Sequence, residues 1–177
     1  MKRLQRRLCI VGSAILAGLL IFSMVWYLTA YRAYDGYMER CRSLPVWQEE
    51  FIRGYGSDAA GYNYNVKRPD FGSWTGNLGL GMPCLVLENG EEIPYVDELI
   101  LWPHAEDEWE IGVILYTYDQ NGEEIICTGH QLYIDAAGNY LPHRDAADAD
   151  SAALLEEHRE NVMLLLERAR DLWGPET

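Results

Sequence analysis

The stretch Trp109–Asp135, WEIGVILYTYDQNGEEIICTGHQLYID, decides the fold class. Trp109 to Tyr118 reads as a long strand. Asp119-Gln-Asn-Gly122 then turns the chain, with Asn121 and Gly122 supplying the positive φ values a tight turn needs. Glu123 to Asp135 reads as the returning strand, with a bulge expected at Gly129. Upstream, Cys84 to Glu88 meets the hairpin dipeptide Asn89-Gly90. The return strand, Glu91 to Val96, holds Pro94 and belongs at a sheet edge. Glu98 to Trp102 makes a further strand. Downstream, Asp135-Ala-Ala-Gly138 turns into a short strand at Asn139–Leu141. Successive turn signals with no helix between them predict an antiparallel meander of about five to six strands.

The last segment carries helical signals. Asp148, Asp150 and Ser151 offer capping oxygens, and Arg168 and Arg170 suit the negative end of the helix dipole. Leu155, His158, Val162, Leu165, Ala169 and Leu172 fall on one face, and Gly174-Pro175 closes the helix. His158, on that apolar face, reads as a satisfied core histidine. An amphipathic helix needs an apolar partner, so the expected fold is α+β, a meander packed against a C-terminal helix.

Leu8 to Ala30, LCIVGSAILAGLLIFSMVWYLTA, contains no charge. As a helix it rises ~34 Å, enough to cross a hydrocarbon core of ~30 Å. Trp26, Tyr27 and Tyr31 suit a membrane interface, and Lys2, Arg3, Arg6 and Arg7 predict a cytoplasmic N-terminus. The run is too long for a signal peptide, and Leu28-Thr29-Ala30 is a poor cleavage site, so an uncleaved signal-anchor is expected. Absence of any Asn-x-Ser/Thr sequon points to a bacterial envelope. The expected organisation is a basic tail (1–7), a transmembrane helix (8–30), a juxtamembrane helical stalk (31–53) and an extracytoplasmic domain (54–177). In the stalk, Tyr27, Tyr31, Tyr34, Met38 and Cys41 form an a/d-type seam, which packs on the protein's own domain or pairs with a second copy. Ser43 is expected to cap a short helix that buries Leu44, Trp47, Phe51 and Ile52.

Four of the 14 basic residues, Lys2, Arg3, Arg6 and Arg7, precede the apolar run. The remaining ten face all 28 acidic residues, a formal charge of −18 on the body. Such a surface repels nucleic acid and anionic lipid and favours solubility. Three of the four cysteines, Cys41, Cys84 and Cys127, lie in that body. Cys84 and Cys127, both in expected strands, are the candidate disulfide in an oxidising compartment.

Gly54–Pro83 reads as irregular, glycine-rich chain with one short strand around Phe71–Leu78. Its rings Tyr62, Tyr64, Phe71 and Trp74 are a candidate ligand or partner surface. Glu106, Asp107, Glu108 and Glu110 offer oxygens to a hard cation but match no calcium-loop spacing, so a solvated turn is the simpler reading. Cys127 and His130, three apart on a flat strand, point to opposite faces. No phosphate-binding glycine loop, Gly-x-Ser-x-Gly elbow or His-Glu-x-x-His occurs. The sequence therefore assigns no catalytic residue and no cofactor. It favours a non-catalytic module that binds an envelope protein, with an envelope hydrolase or a subunit oligomerising through the stalk as alternatives.

Overall fold

A computed structural model of the chain describes residues 2–86, 90, 92–93, 95–103, 109–121, 124–142 and 149–174. The helix α1 (Lys2–Trp26) continues through a π turn (Tyr27–Tyr31) and a 3-10 turn (Arg32–Tyr34) into α2 (Asp35–Cys41). Its most apolar window has mean hydropathy 2.5 and none of it is buried. Among the described residues this one helix is long and apolar enough to cross a membrane. Ser23 Oγ donates to Leu19 O (2.8 Å) and Thr29 Oγ1 to Val25 O (2.7 Å), so both hydroxyls are satisfied inside the helix.

Exposure changes at Trp26. Trp26, Ala30 and Tyr31 are buried with Ile52 packed against them. Tyr34, Met38 and Cys41 then enter the main core, at 3%, 1% and 0% exposure. The seam thus packs on the chain's own domain, and only Tyr27 of its five residues is exposed. Segment 31–53 is accordingly part of the domain rather than a separate stalk.

The domain is built on a seven-stranded antiparallel sheet in the order β1-β2-β3-β4-β7-β8-β9. Its strands are β1 (Val46–Glu49), β2 (Arg53–Ser57), β3 (Asn63–Lys67), β4 (Asn77–Gly81), β7 (Glu98–Pro103), β8 (Trp109–Asn121) and β9 (Glu124–Ile134). β5 (Leu85–Val86) and β6 (Glu92–Ile93) leave the meander as a two-stranded ribbon. Gly90, in its turn, has φ +83°, as the Asn-Gly signal requires. Pro94 lies outside the described residues. The short strand expected at Asn139–Leu141 is a single bridge between Tyr140 and Ile134.

Side-chain alternation assigns the two faces. Val66, Leu78, Leu80, Leu99, Leu101, Val113 and Leu115 are fully buried on one of them. That face is covered by α2 and by α4 (Arg159–Trp173), through Val162, Leu165, Leu166, Ala169 and Trp173. Burying each such side chain stabilises the fold by about 1.5–3 kcal/mol. Trp173 Nε1 donates to Cys41 Sγ (3.2 Å) and Arg40 to Gly174 O (2.5 Å), tying the two helices together.

Several local expectations are corrected. Ser43 does not begin a helix; its Oγ donates back to Arg40 O (2.8 Å), closing α2. Val46–Glu49 forms the edge strand β1, and Phe51 is exposed rather than buried. The indole of Trp47 fills the space above Gly54, where a Cβ would lie 2.2 Å from the ring. Gly54–Pro83 is not irregular: it contains most of β2, all of β3 and all of β4. Phe71 sits in a turn before β4. Gly129 carries no bulge, since the β8–β9 register is continuous through Tyr116↔Gly129. It is needed because the Tyr116 ring lies over it, 2.9 Å from where a Cβ would be. The C-terminal helix is broken at His158 (φ −94°, ψ 9°) into α3 (Ala149–Glu157) and α4. Asp148 lies outside the described residues, as does Gly122.

Candidate functional site

The face of the sheet opposite α2 and α4 carries the row Gln48, Tyr55, Asn65, Gly79, Ile100, Gly112 and Tyr133, in register across all seven strands. The neighbouring row runs Val46, Ser57, Asn63, Gly81, Glu98, Ile114 and Gln131. Glycines at 79 and 81 make a low centre. One wall bears amides and hydroxyls, with Tyr55 Oη donating to Gln48 Oε1 (3.0 Å). The result is a groove of about 580 Å³, lined by Val46, Tyr55, Ser57, Asn63, Asn65, Gly79 and Glu98, with Glu50 and Arg53 also lining it. Glu98 still reaches solvent, but crowding in the concavity pushes its carboxyl above the usual range. Beyond it the Trp102 ring lies over Gly112, 6.1 Å from the ring of Tyr133.

A second site lies where the helices meet the start of β7. Asp97 is the one buried charged or polar residue among those described. Its Oδ1 accepts from Tyr116 N (3.2 Å). Its Oδ2 lies 2.7 Å from His158 Nδ1 and accepts from Asn161 Nδ2 at 2.8 Å. His158 is therefore satisfied, and the break between α3 and α4 occurs at this residue. Beside the cluster is a cavity of about 190 Å³, lined also by Met82, Pro83, Leu85, Val96, Tyr116 and Tyr118. Burial, with Cys127 as the next cause, pushes the Tyr118 phenol up to about 12. The phenols here are donors at neutral pH, not bases.

The four rings expected to form one surface are divided. Tyr62 and Tyr64 are buried. They enclose an ion pair, with Arg168 over the Tyr62 ring (3.6 Å) and bound to Asp58 (2.8 Å), which also accepts from Tyr64 Oη (3.1 Å). Phe71 and Trp74 are exposed, and both pack edge-on against Phe22 of α1. Cys84 precedes β5 rather than lying in a strand, and it and Cys127 are free thiols, so the expected disulfide is not formed. Cys127 and His130 keep opposite faces, with His130 Nε2 3.2 Å from Thr117 Oγ1. Glu106, Asp107 and Glu108 lie outside the described residues; Glu110 pairs with Trp102 in register. Among the described residues no three His, Cys, Asp or Glu side chains converge as metal ligands.

Sequence reasoning missed Asp97, Asn161 and the groove. The alternation Asn63-Tyr-Asn-Val66 was the signal for the groove wall. Nothing local marks Asp97, whose partners are 19 to 64 residues away. No protein-family model, curated protein or solved structure matches the chain.

Proposed function

We propose that this chain is a single-pass, membrane-anchored binding module of the bacterial cell envelope. Residues 1–7 lie in the cytoplasm, the apolar helix crosses the membrane, and the acidic domain stands outside and holds an envelope protein without chemistry. The observation that carries this reading is the uncovered sheet face. Its groove has the volume of a ligand site, and amides, hydroxyls and a phenol line it beside the charged groups of Glu50, Arg53 and Glu98, a lining that offers many polar contacts to a partner. Lys2, Arg3, Arg6 and Arg7, clustered just before the apolar run, support the orientation.

The test places a photoreactive residue at Tyr55 of the full-length chain in living cells, with one at Met163 on α4 as the control. One envelope species captured from Tyr55 and absent from Met163 supports the module. Identical captures from both positions would refute it.

One observation favours the second reading, an envelope hydrolase: the Asp97–His158 pair faces a cavity. Hydrolysis by the full-length protein that disappears in His158→Gln, with the far-ultraviolet spectrum unchanged, would replace the first reading with this one.

A further inference from the structure

We propose that the turns carrying Phe51, Phe71 and Trp74 make a second contact with the lipid bilayer, lying in its interfacial layer beside the helix. The inference rests on the reading of the helix as a membrane span. These three rings are among the most exposed large apolar side chains of the domain, at 82%, 67% and 55%. Exposed rings grouped at one edge need a non-aqueous neighbour. The helix identifies which one. Phe71 packs edge-on against Phe22 (6.0 Å) and Trp26 (5.1 Å), and Trp74 against Phe22 (6.3 Å). Phe22 lies inside the uncharged run, so the turn sits at the level of that run and not above it.

The heights agree. From Leu8 to Val25 the helix rises ~27 Å, close to the ~30 Å of a hydrocarbon core. About 20 residues of helix span ~30 Å, so the edge of the hydrocarbon falls near Tyr27, within about one turn of the Phe22–Trp26 level at which Phe71 and Trp74 pack. That is the layer aromatic side chains favour.

The turn is held there. Trp26 Nε1 donates to Ser73 O (2.6 Å), and Gly76 N donates to Tyr34 Oη (2.8 Å). Gly72 has φ +84°, and Ser73 N closes the turn onto Asp70 O (2.8 Å). Tyr31 Oη donates to Phe51 O, which fixes the other turn to the same helix. The charge fits as well. Arg53, Lys67 and Arg68 balance Glu49, Glu50 and Asp70 on these segments, so this edge lacks the negative excess of the rest of the body. An anionic headgroup is not repelled here.

The test uses the full-length chain in liposomes of phosphatidylethanolamine and phosphatidylglycerol. A tracer lipid carries a diazirine near the headgroup end of its acyl chain, and adducts are mapped after irradiation. Adducts are expected on the helix and on Phe71 or Trp74, with none at Met163 on α4. In the doubly substituted Phe71→Ser, Trp74→Ser chain the turn adducts should be lost and the helix adducts kept. Adducts on the helix with none on the turn would overturn this inference and leave the span intact. No adducts on the helix would overturn the span itself, and the inference with it. If photoreactive groups at positions 71 and 74 in cells capture a protein in place of lipid, a partner helix occupies this edge and the inference is wrong.

Discussion

Replacing Asp97 with alanine tests how the sheet and the helix are joined. Asp97 is 5% exposed and is the acceptor for three groups from two elements: Tyr116 N of β8, and His158 and Asn161 of the α3–α4 region. Its loss leaves three donors without their acceptor, at about 1–3 kcal/mol for each one that stays dry. The adjacent cavity of about 190 Å³ admits water and recovers part of that. The expected net cost is about 3–5 kcal/mol, a large share of the ~5–15 kcal/mol that stabilises a domain. Asp97→Asn should cost less, because one oxygen remains, though its amide then faces the Asn161 amide. The assay is urea unfolding of the full-length chain in mild detergent, read by tryptophan fluorescence, with the slope checked for constancy. A cost below about 1 kcal/mol for Asp97→Ala would refute the reasoning. So would simple additivity of Asp97→Ala with Asn161→Ala, since groups in contact should couple.

Three further outcomes are expected. With a maleimide at pH 8, Cys84 should be the first of the domain's three thiols modified, being exposed, while Cys41 reacts only on unfolding; it is fully buried, and burial pushes its thiol up to about 11. Peptide mapping reads the order, and a Cys84 that stays blocked until reduction would show it disulfide-bonded after all. Glu49 is held at about 2 by its hydrogen bonds with Arg42 and Trp47, below the ~4.3 of a free glutamate. Its contribution is therefore complete above pH ~4.3 and is lost as pH falls toward 2, so the wild type should lose stability across that window more steeply than Glu49→Gln. Equal acid slopes for the two chains would show that Glu49 contributes nothing. A fragment starting at Ser43 should not fold, because it loses the burial of Tyr34, Met38 and Cys41, worth about 5–9 kcal/mol at about 1.5–3 kcal/mol each. Cooperative unfolding of that fragment at the full-length midpoint would contradict the placing of α2 in the core.

What was legible in the sequence was what local pattern encodes. The long hairpin from Trp109 declared itself because Ile111, Val113 and Leu115 alternate with non-core positions, although Asp119 to Asn121, read as a turn, extend β8 instead. The uncharged run did so because nothing else explains its length. Glycine concealed the rest. In β4, Leu78 and Leu80 face the core while Gly79 and Gly81 face the groove, so half of the alternation has no side chain to read. In β2 the core-facing positions are themselves glycines: at Gly54 a Cβ would lie 2.2 Å from Trp47 and 2.7 Å from Met38, and at Gly56 it would lie 2.0 Å from Val46 O. A glycine placed to admit a neighbour looks, in sequence, like a glycine placed to turn a loop. Leu44, Trp47 and Phe51 show the converse error: helical spacing lost to tertiary pairing, because an edge strand beside β2 covers Gly54 with an indole.

The change in exposure at Trp26 supports the proposed span, in which one helix answers to two solvents. Leu8, Ile10, Ile15, Leu19, Leu20 and Ile21 are each more than half exposed, and they lie on every side of the helix. No single protein face could cover them all, whereas a bilayer covers all sides at once. From Trp26 to Cys41 burial is one-sided, and the polar contacts accumulate: Trp26 to Ser73, Tyr31 to Phe51, Asp35 to Arg68 at 2.8 Å. No linker separates the two regimes. The helix enters the core directly, so in the proposed topology its tilt also sets the tilt of the domain. The groove on the open sheet face then meets its partner at a fixed angle and height above the bilayer. Recognition of a neighbouring envelope protein would lose less orientational entropy in this arrangement than on a flexible tether.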